Sequence, residues 1–140
     1  MNEVLYNAYV KILKEELLPA MGCTEPIAVA YAAALVRKTL GTIPQSAEVH
    51  VSANIIKNVK SVVVPHTGGM RGIDAAVAAG IIAGNADREL EVLSDVNEEE
   101  VRIMAHYLKQ TPISIAASDN GYIFDIQIRA NAGEHTAFVR

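Results

Sequence analysis

The sequence predicts an α+β fold with helices packed on one face of a mostly antiparallel sheet, and three observations carry that prediction. Apolar residues recur at helical spacing in several separate runs before the last thirty residues. Ala47-Glu48-Val49-His50-Val51-Ser52 alternates apolar with polar, as a half-buried strand does. The last thirty residues then turn to β character, with Ser118-Asp119-Asn120-Gly121 and Asn131-Ala132-Gly133-Glu134 supplying turn chemistry.

In chain order, Val4, Leu5, Ala8, Ile12, Leu13 and Leu17 repeat at three and four, which predicts an amphipathic helix ending near Pro19. A second helix follows from Ile27, Ala28, Tyr31, Ala34 and Leu35, closing with Arg37 and Lys38 before Gly41. The pair reads as a helical hairpin whose connection presents Cys23. After the strand at Ala47–Ser52, Asn54-Ile55-Ile56-Lys57-Asn58 reads as a turn, and Ser61–Val64 as a short strand. Pro65 to Gly72 is a glycine-rich loop that opens a helix over Ile73–Ala83, apolar nearly all round and therefore buried. Asn97 followed by Glu98, Glu99 and Glu100 is a capping-box helix start, which makes the triple glutamate structural before it is a metal site. Ile113–Ala117, Tyr122–Arg129 and His135–Val139 read as a three-strand meander, with Asp125, Gln127 and Arg129 on its wet side.

Composition narrows the function classes. A chain of 140 residues, half of them hydrophobic, buries one ordinary core, so residues 1–140 are expected to form a single domain. A net charge of −4, with both signs interspersed, leaves no footprint for nucleic acid or an anionic membrane. No apolar run reaches the roughly 18 residues that span a bilayer. The single cysteine excludes an internal disulfide and points to a reducing, cytoplasmic setting.

Three stretches hold groups with chemistry. Cys23 lies in Ala20-Met21-Gly22-Cys23-Thr24-Glu25-Pro26-Ile27, between Pro19 and a helix start, where unpaired backbone amides favour a thiolate able to take a metal or an electrophile. A lone cysteine also serves as a small buried apolar residue. Asn54, Lys57 and Asn58 offer amides for hydrogen bonding and an ammonium for a substrate carboxylate, or simply a solvated turn. His66, Thr67, Gly68 and Gly69 form a loop whose amides can cradle a carboxylate, with His66 either a proton acceptor or an exposed loop histidine. No nucleotide motif is present, since neither the P-loop lysine nor a Gly-x-Gly-x-x-Gly occurs.

Taken together, Gly22–Ala28, Ser52–Asn58 and Val64–Gly69 with Gly72 resemble the L-cysteine desulfidase family, which is related to the alpha chain of iron–sulfur L-serine dehydratase. The resemblance covers roughly residues 10 to 95, in the family's order. It implies a lyase, independent of pyridoxal phosphate, with a 4Fe-4S cluster held by three cysteines and one iron open to substrate. Cys23 matches the first of the three and is the only one present, so the chain resembles the N-terminal part of a longer catalytic protein. The implied reaction eliminates hydrogen sulfide or water from L-cysteine or L-serine to give pyruvate and ammonia. His66 and Lys57 would be catalytic, while Asn54, Lys57, Asn58, Thr67, Gly68 and Gly69 would hold the substrate. The implied partner is a domain or chain carrying the other cluster cysteines; separately, the apolar character of the chain leaves room for a second copy that covers exposed surface. Two alternatives stand beside this reading: a non-catalytic module that binds an amino acid, and a thiol enzyme with Cys23 assisted by His66.

Overall fold

The structure is a computed structural model that describes residues 4–8, 24–118 and 124–140. Its elements are β1 (Val4–Ala8), α1 (Thr24–Leu40), β2 (Ser46–Val51), α2 (Ala53–Val59), α3 (Ile73–Ala83), a 3-10 turn (Ala86–Glu91), α4 (Glu98–Gln110), β3 (Ile113–Ala117), β4 (Ile126–Ala132) and β5 (His135–Val139). The five strands form one sheet in the order β1-β5-β4-β2-β3. Pairing is antiparallel between β2 and β4 and between β4 and β5, and parallel between β1 and β5 and between β2 and β3. The fold is therefore α+β with a mixed sheet.

Strand burial alternates as the pleat requires. Ala47, Val49 and Val51 of β2 and Ile126, Ile128 and Ala130 of β4 point into the core, while Glu48, His50 and Arg129 meet solvent. On the wet face Arg129 lies over the ring of its cross-strand partner Phe138, 5.4 Å from the centroid. The three C-terminal strands are all present, but β2 lies between β3 and β4, so the meander is split. The reason is burial: β2 and β4 each present an apolar row to the same face and belong at the centre. β3 is exposed along most of its length and suits an edge.

The helices stack on the apolar face. α1 packs on β4 and β5, α3 packs along α1, and α4 packs on α3. Both α1 and α3 are consequently buried almost all round, as an alanine-rich sequence permits. Their approach is closest at two glycines. A Cβ on Gly80 would lie 2.1 Å from the Ala30 carbonyl oxygen, and one on Gly84 would lie 2.8 Å from the Ala34 Cβ. Arg37 Nη1 donates to the Ile81 carbonyl at 3.0 Å and ties the same pair of helices together.

Three local expectations are corrected. Val4–Ala8 is a strand rather than the start of a helix, because the edge of β5 offers it a full register of backbone partners from Val4↔His135 to Ala8↔Val139. The remainder of that expected helix lies outside the described residues. Ser61–Val64 contributes only one bridge, Val63 to Arg71. Asn54–Asn58 belongs to α2, whose Ile55 and Val59 are buried, so burial of one face makes a helix of a segment that reads locally as a turn. The capping box at α4 is as expected: the Asn97 side chain accepts from the Glu100 amide at 2.8 Å, and Glu100 Oε1 accepts from the Asn97 amide at 3.1 Å.

Candidate functional site

The site is built where α1 begins and α2 passes beside it. α1 starts at Thr24, directly after the cysteine turn; Cys23 itself lies outside the described residues. Glu25, in the first turn, accepts a hydrogen bond on Oε1 from Asn58 Nδ2 at 3.3 Å. Its second oxygen, Oε2, is enclosed and has no hydrogen-bond partner among the described residues. An enclosed carboxylate oxygen left unpaired is costly, and a donor such as an ammonium group satisfies it best. The contact joins two of the motif blocks, since Glu25 stands two residues from Cys23 and Asn58 ends the Ser52–Asn58 block.

Helical geometry sorts the residues of α2. Ile55 and Val59 face the core, and Lys57 points away from it into solvent. Asn54 and Asn58, four residues apart, share one flank; Ile56 and Lys60 share the other, roughly 200° around the axis. Lys57 is thus not on the flank that meets Glu25. Of the substrate-binding residues expected on this segment, Asn58 is the one with a side-chain hydrogen bond to the α1 start among the described residues.

The glycine loop is closed on itself. The Val64 amide donates to the Met70 carbonyl at 2.8 Å, and the Gly72 amide donates to the Val62 carbonyl at 3.2 Å. Thr67 is 1% exposed; its hydroxyl donates to the Val64 carbonyl at 2.7 Å and accepts from the Met70 amide at 3.1 Å. That hydroxyl is committed to the loop. Gly68 and Gly69 have φ of 71° and 98°, which only glycine adopts without strain, and a Cβ on Gly68 would press on Val101 of α4 at 3.1 Å. His66 also sits at positive φ, 63°, and is exposed. No hydrogen bond joins it to Glu25 or Asn58 among the described residues.

A second polar assembly closes the sheet where β2 ends. The Ser52 amide donates to the Asp125 carbonyl at 2.9 Å, and the Asp125 amide donates to Ser52 Oγ at 3.3 Å. The Asp125 carboxylate, 6% exposed, accepts from Gln127 Nε2 at 2.8 Å and from Arg140 Nε at 3.3 Å. The sequence places Asp125 on the wet face, but it precedes β4 and turns inward, where the ion pair with Arg140 and the Gln127 side-chain amide compensate the burial of its carboxylate. Sequence reasoning also passed over Glu25 as a functional group. The signal for it was present, in its position two residues after the cysteine at a helix start.

Among the described residues, no three His, Cys, Asp or Glu side chains come together to hold a metal, and no helix is long and apolar enough to cross a membrane.

No family description matches this chain, and no solved structure does. Curated proteins of similar sequence do exist. The chain is 55% identical over 123 residues to the UPF0597 protein DSY1109 of Desulfitobacterium hafniense, covering 88% of this chain and 29% of that protein. It is 50% identical over 123 residues to a UPF0597 protein of Treponema denticola, covering 88% and 28%. It is 43% identical over 137 residues to the UPF0597 protein FN1147 of Fusobacterium nucleatum, covering 98% and 32%. The chain thus spans under a third of the length of these curated relatives. These matches correct the resemblance drawn from the motifs: the relatives carry the UPF0597 name and not that of an L-cysteine desulfidase. By sequence, this chain is similar to one part of the UPF0597 proteins.

Proposed function

We propose that this chain contributes the amino-acid-binding part of a lyase that removes hydrogen sulfide or water from L-cysteine or L-serine. The observation that supports the reading is the Glu25–Asn58 pair, with its enclosed, unpartnered carboxylate oxygen, at the helix start that Cys23 precedes. A substrate ammonium is a donor of the right charge for Glu25, and the Asn58 and Asn54 amides can turn toward the substrate's carboxylate. His66 then accepts the proton from the α carbon, and Lys57 screens the carboxylate from the solvent side. Departure of hydrogen sulfide or water leaves an enamine, which water hydrolyses to pyruvate and ammonia.

A 4Fe-4S cluster does not fit this chain's own residues. Such clusters are held by several thiolates, and the sequence has one cysteine. Cys23 would contribute one ligand, and the others would come from a further domain or chain, a division consistent with the length of the relatives. A reducing compartment, the cytoplasm, suits such a thiolate.

The test combines binding with turnover. Calorimetric titration with L-cysteine and L-serine should show saturable binding that Glu25→Gln and Asn58→Ala each weaken by about tenfold, the loss of one charge-assisted hydrogen bond. Anaerobic reconstitution with iron and sulfide, alongside a chain that supplies the other cysteines, should then yield pyruvate, and His66→Ala should lower its rate. Absence of binding to either amino acid would refute the reading. The single cysteine favours one alternative, a module that binds the amino acid without transforming it, and binding that persists with no pyruvate under any reconstitution would select it.

A further inference from the structure

On the flank of α2 opposite Asn54 and Asn58 lies an open cleft of about 290 Å³, lined by Ile56, Lys60, Arg71, Ile73, Asp74 and Ile115. Three isoleucines from α2, α3 and β3 supply an apolar wall, and two cations and one carboxylate stand at its edge. Lys60 has no carboxylate partner among the described residues. Arg71 spends Nη1 on the Ser61 carbonyl at 2.8 Å, which leaves further guanidinium donors of its planar fork for a ligand.

The glycine between these groups shapes the cleft. Gly72 has φ of 95°, and the point where its Cβ would stand is 3.1 Å from Asp74 Oδ1 and 3.3 Å from the Lys60 carbonyl oxygen. Two acceptors therefore converge beside Gly72. Asp74 Oδ1 already accepts from the Ala75 amide at 2.9 Å, and the carboxylate keeps other lone pairs for a second donor. Paired cations, converging acceptors and an aliphatic wall within one small cleft match the three parts of a free aliphatic α-amino acid. We infer that this cleft is a binding site for such an amino acid, with its carboxylate on Lys60 and Arg71, its ammonium on Asp74 and the Lys60 carbonyl, and its side chain on Ile56, Ile73 and Ile115.

The site is separate from the Glu25–Asn58 pair, so the two proposals can fail independently. The experiment titrates the chain with L-valine and with 3-methylbutanoate, which is valine without its ammonium. Valine should bind saturably and more tightly than the acid. Lys60→Gln and Arg71→Gln should each weaken valine binding by about tenfold. Asp74→Asn should weaken valine binding and leave 3-methylbutanoate unchanged. Lys60 is exposed and makes no side-chain hydrogen bond among the described residues, so its variant keeps the test valid should Arg71→Gln disturb the loop. Equal or tighter binding of the acid, no saturable valine binding, or binding that ignores Lys60→Gln would each overturn the inference.

Discussion

Replacing Gly80 with alanine tests the α1–α3 contact on which the helical layer depends. The new Cβ would stand 2.1 Å from the Ala30 carbonyl oxygen, 2.9 Å from the Ala30 carbonyl carbon and 2.8 Å from the Ala33 Cβ. Carbon–oxygen contacts in helix packing begin at about 3.3 Å, so the deficit is about 1.2 Å and falls on backbone, which cannot rotate aside. The helices must part, and a gap of about 1 Å forfeits a quarter to a half of each dispersion contact along the crossing. Overpacking of a tight core costs about 1–3 kcal/mol, and this clash belongs at the upper end. Alanine returns about 1 kcal/mol through helix propensity. The expected net loss is about 2 kcal/mol, seen as a fall in the urea midpoint and in Tm of about 4–8 °C for a chain of this size. Because the closest atom is the Ala30 carbonyl, adding Ala33→Gly should not restore stability. A Gly80→Ala protein as stable as its parent, or one rescued by Ala33→Gly, would refute the backbone-contact argument.

Other consequences are open to measurement. Thr67→Val should cost about 1–3 kcal/mol, since it strands the Met70 amide in a closed loop, and hydrogen exchange at Met70 should accelerate. Asn97→Ala should cost about 1 kcal/mol in urea unfolding by removing the side-chain acceptor of the Glu100 amide, the half of the capping box that Asn97 itself supplies. Tyr107 donates its hydroxyl to the Pro44 carbonyl at 2.6 Å, and burial raises its pKa above the ordinary value of 10.0. The folded state therefore holds this proton more tightly than the unfolded chain. Its contribution is complete below pH 10 and is lost as pH climbs through the folded value, so Tyr107→Phe should flatten the alkaline fall in stability.

The parts of the fold legible in the sequence are those whose local pattern and final burial agree. α3 is apolar all round and ends up enclosed between two helices; β2 alternates and shows one face to the core; Asn97 and Glu100 form the cap their spacing calls for. The misreadings arise where a distant partner decides. Val4, Leu5 and Ala8 share a helical spacing, but the bonds that fix Val4–Ala8 come from a strand at the far end of the chain. Asn54–Asn58 carries turn-forming asparagines, and only the burial of Ile55 and Val59 makes it helical. Asp125 fits the alternation of a wet face until Ser52 and Arg140 draw it inward. Of the candidate site, the blocks containing Glu25 and Asn58 stood out in the sequence, and the structure joins them through one hydrogen bond. The cleft at Lys60, Arg71 and Asp74 was not legible, because its residues come from segments that no short-range pattern connects.

The placement of β1 beside β5 carries a consequence for synthesis. A ribosome makes Val4–Ala8 long before β5, the strand they pair with among the described residues. Closing so long a loop is slow, and the emerging segment must wait with its backbone bonds unmet while the helices and central strands assemble. Early docking of this strand would therefore require a substitute edge.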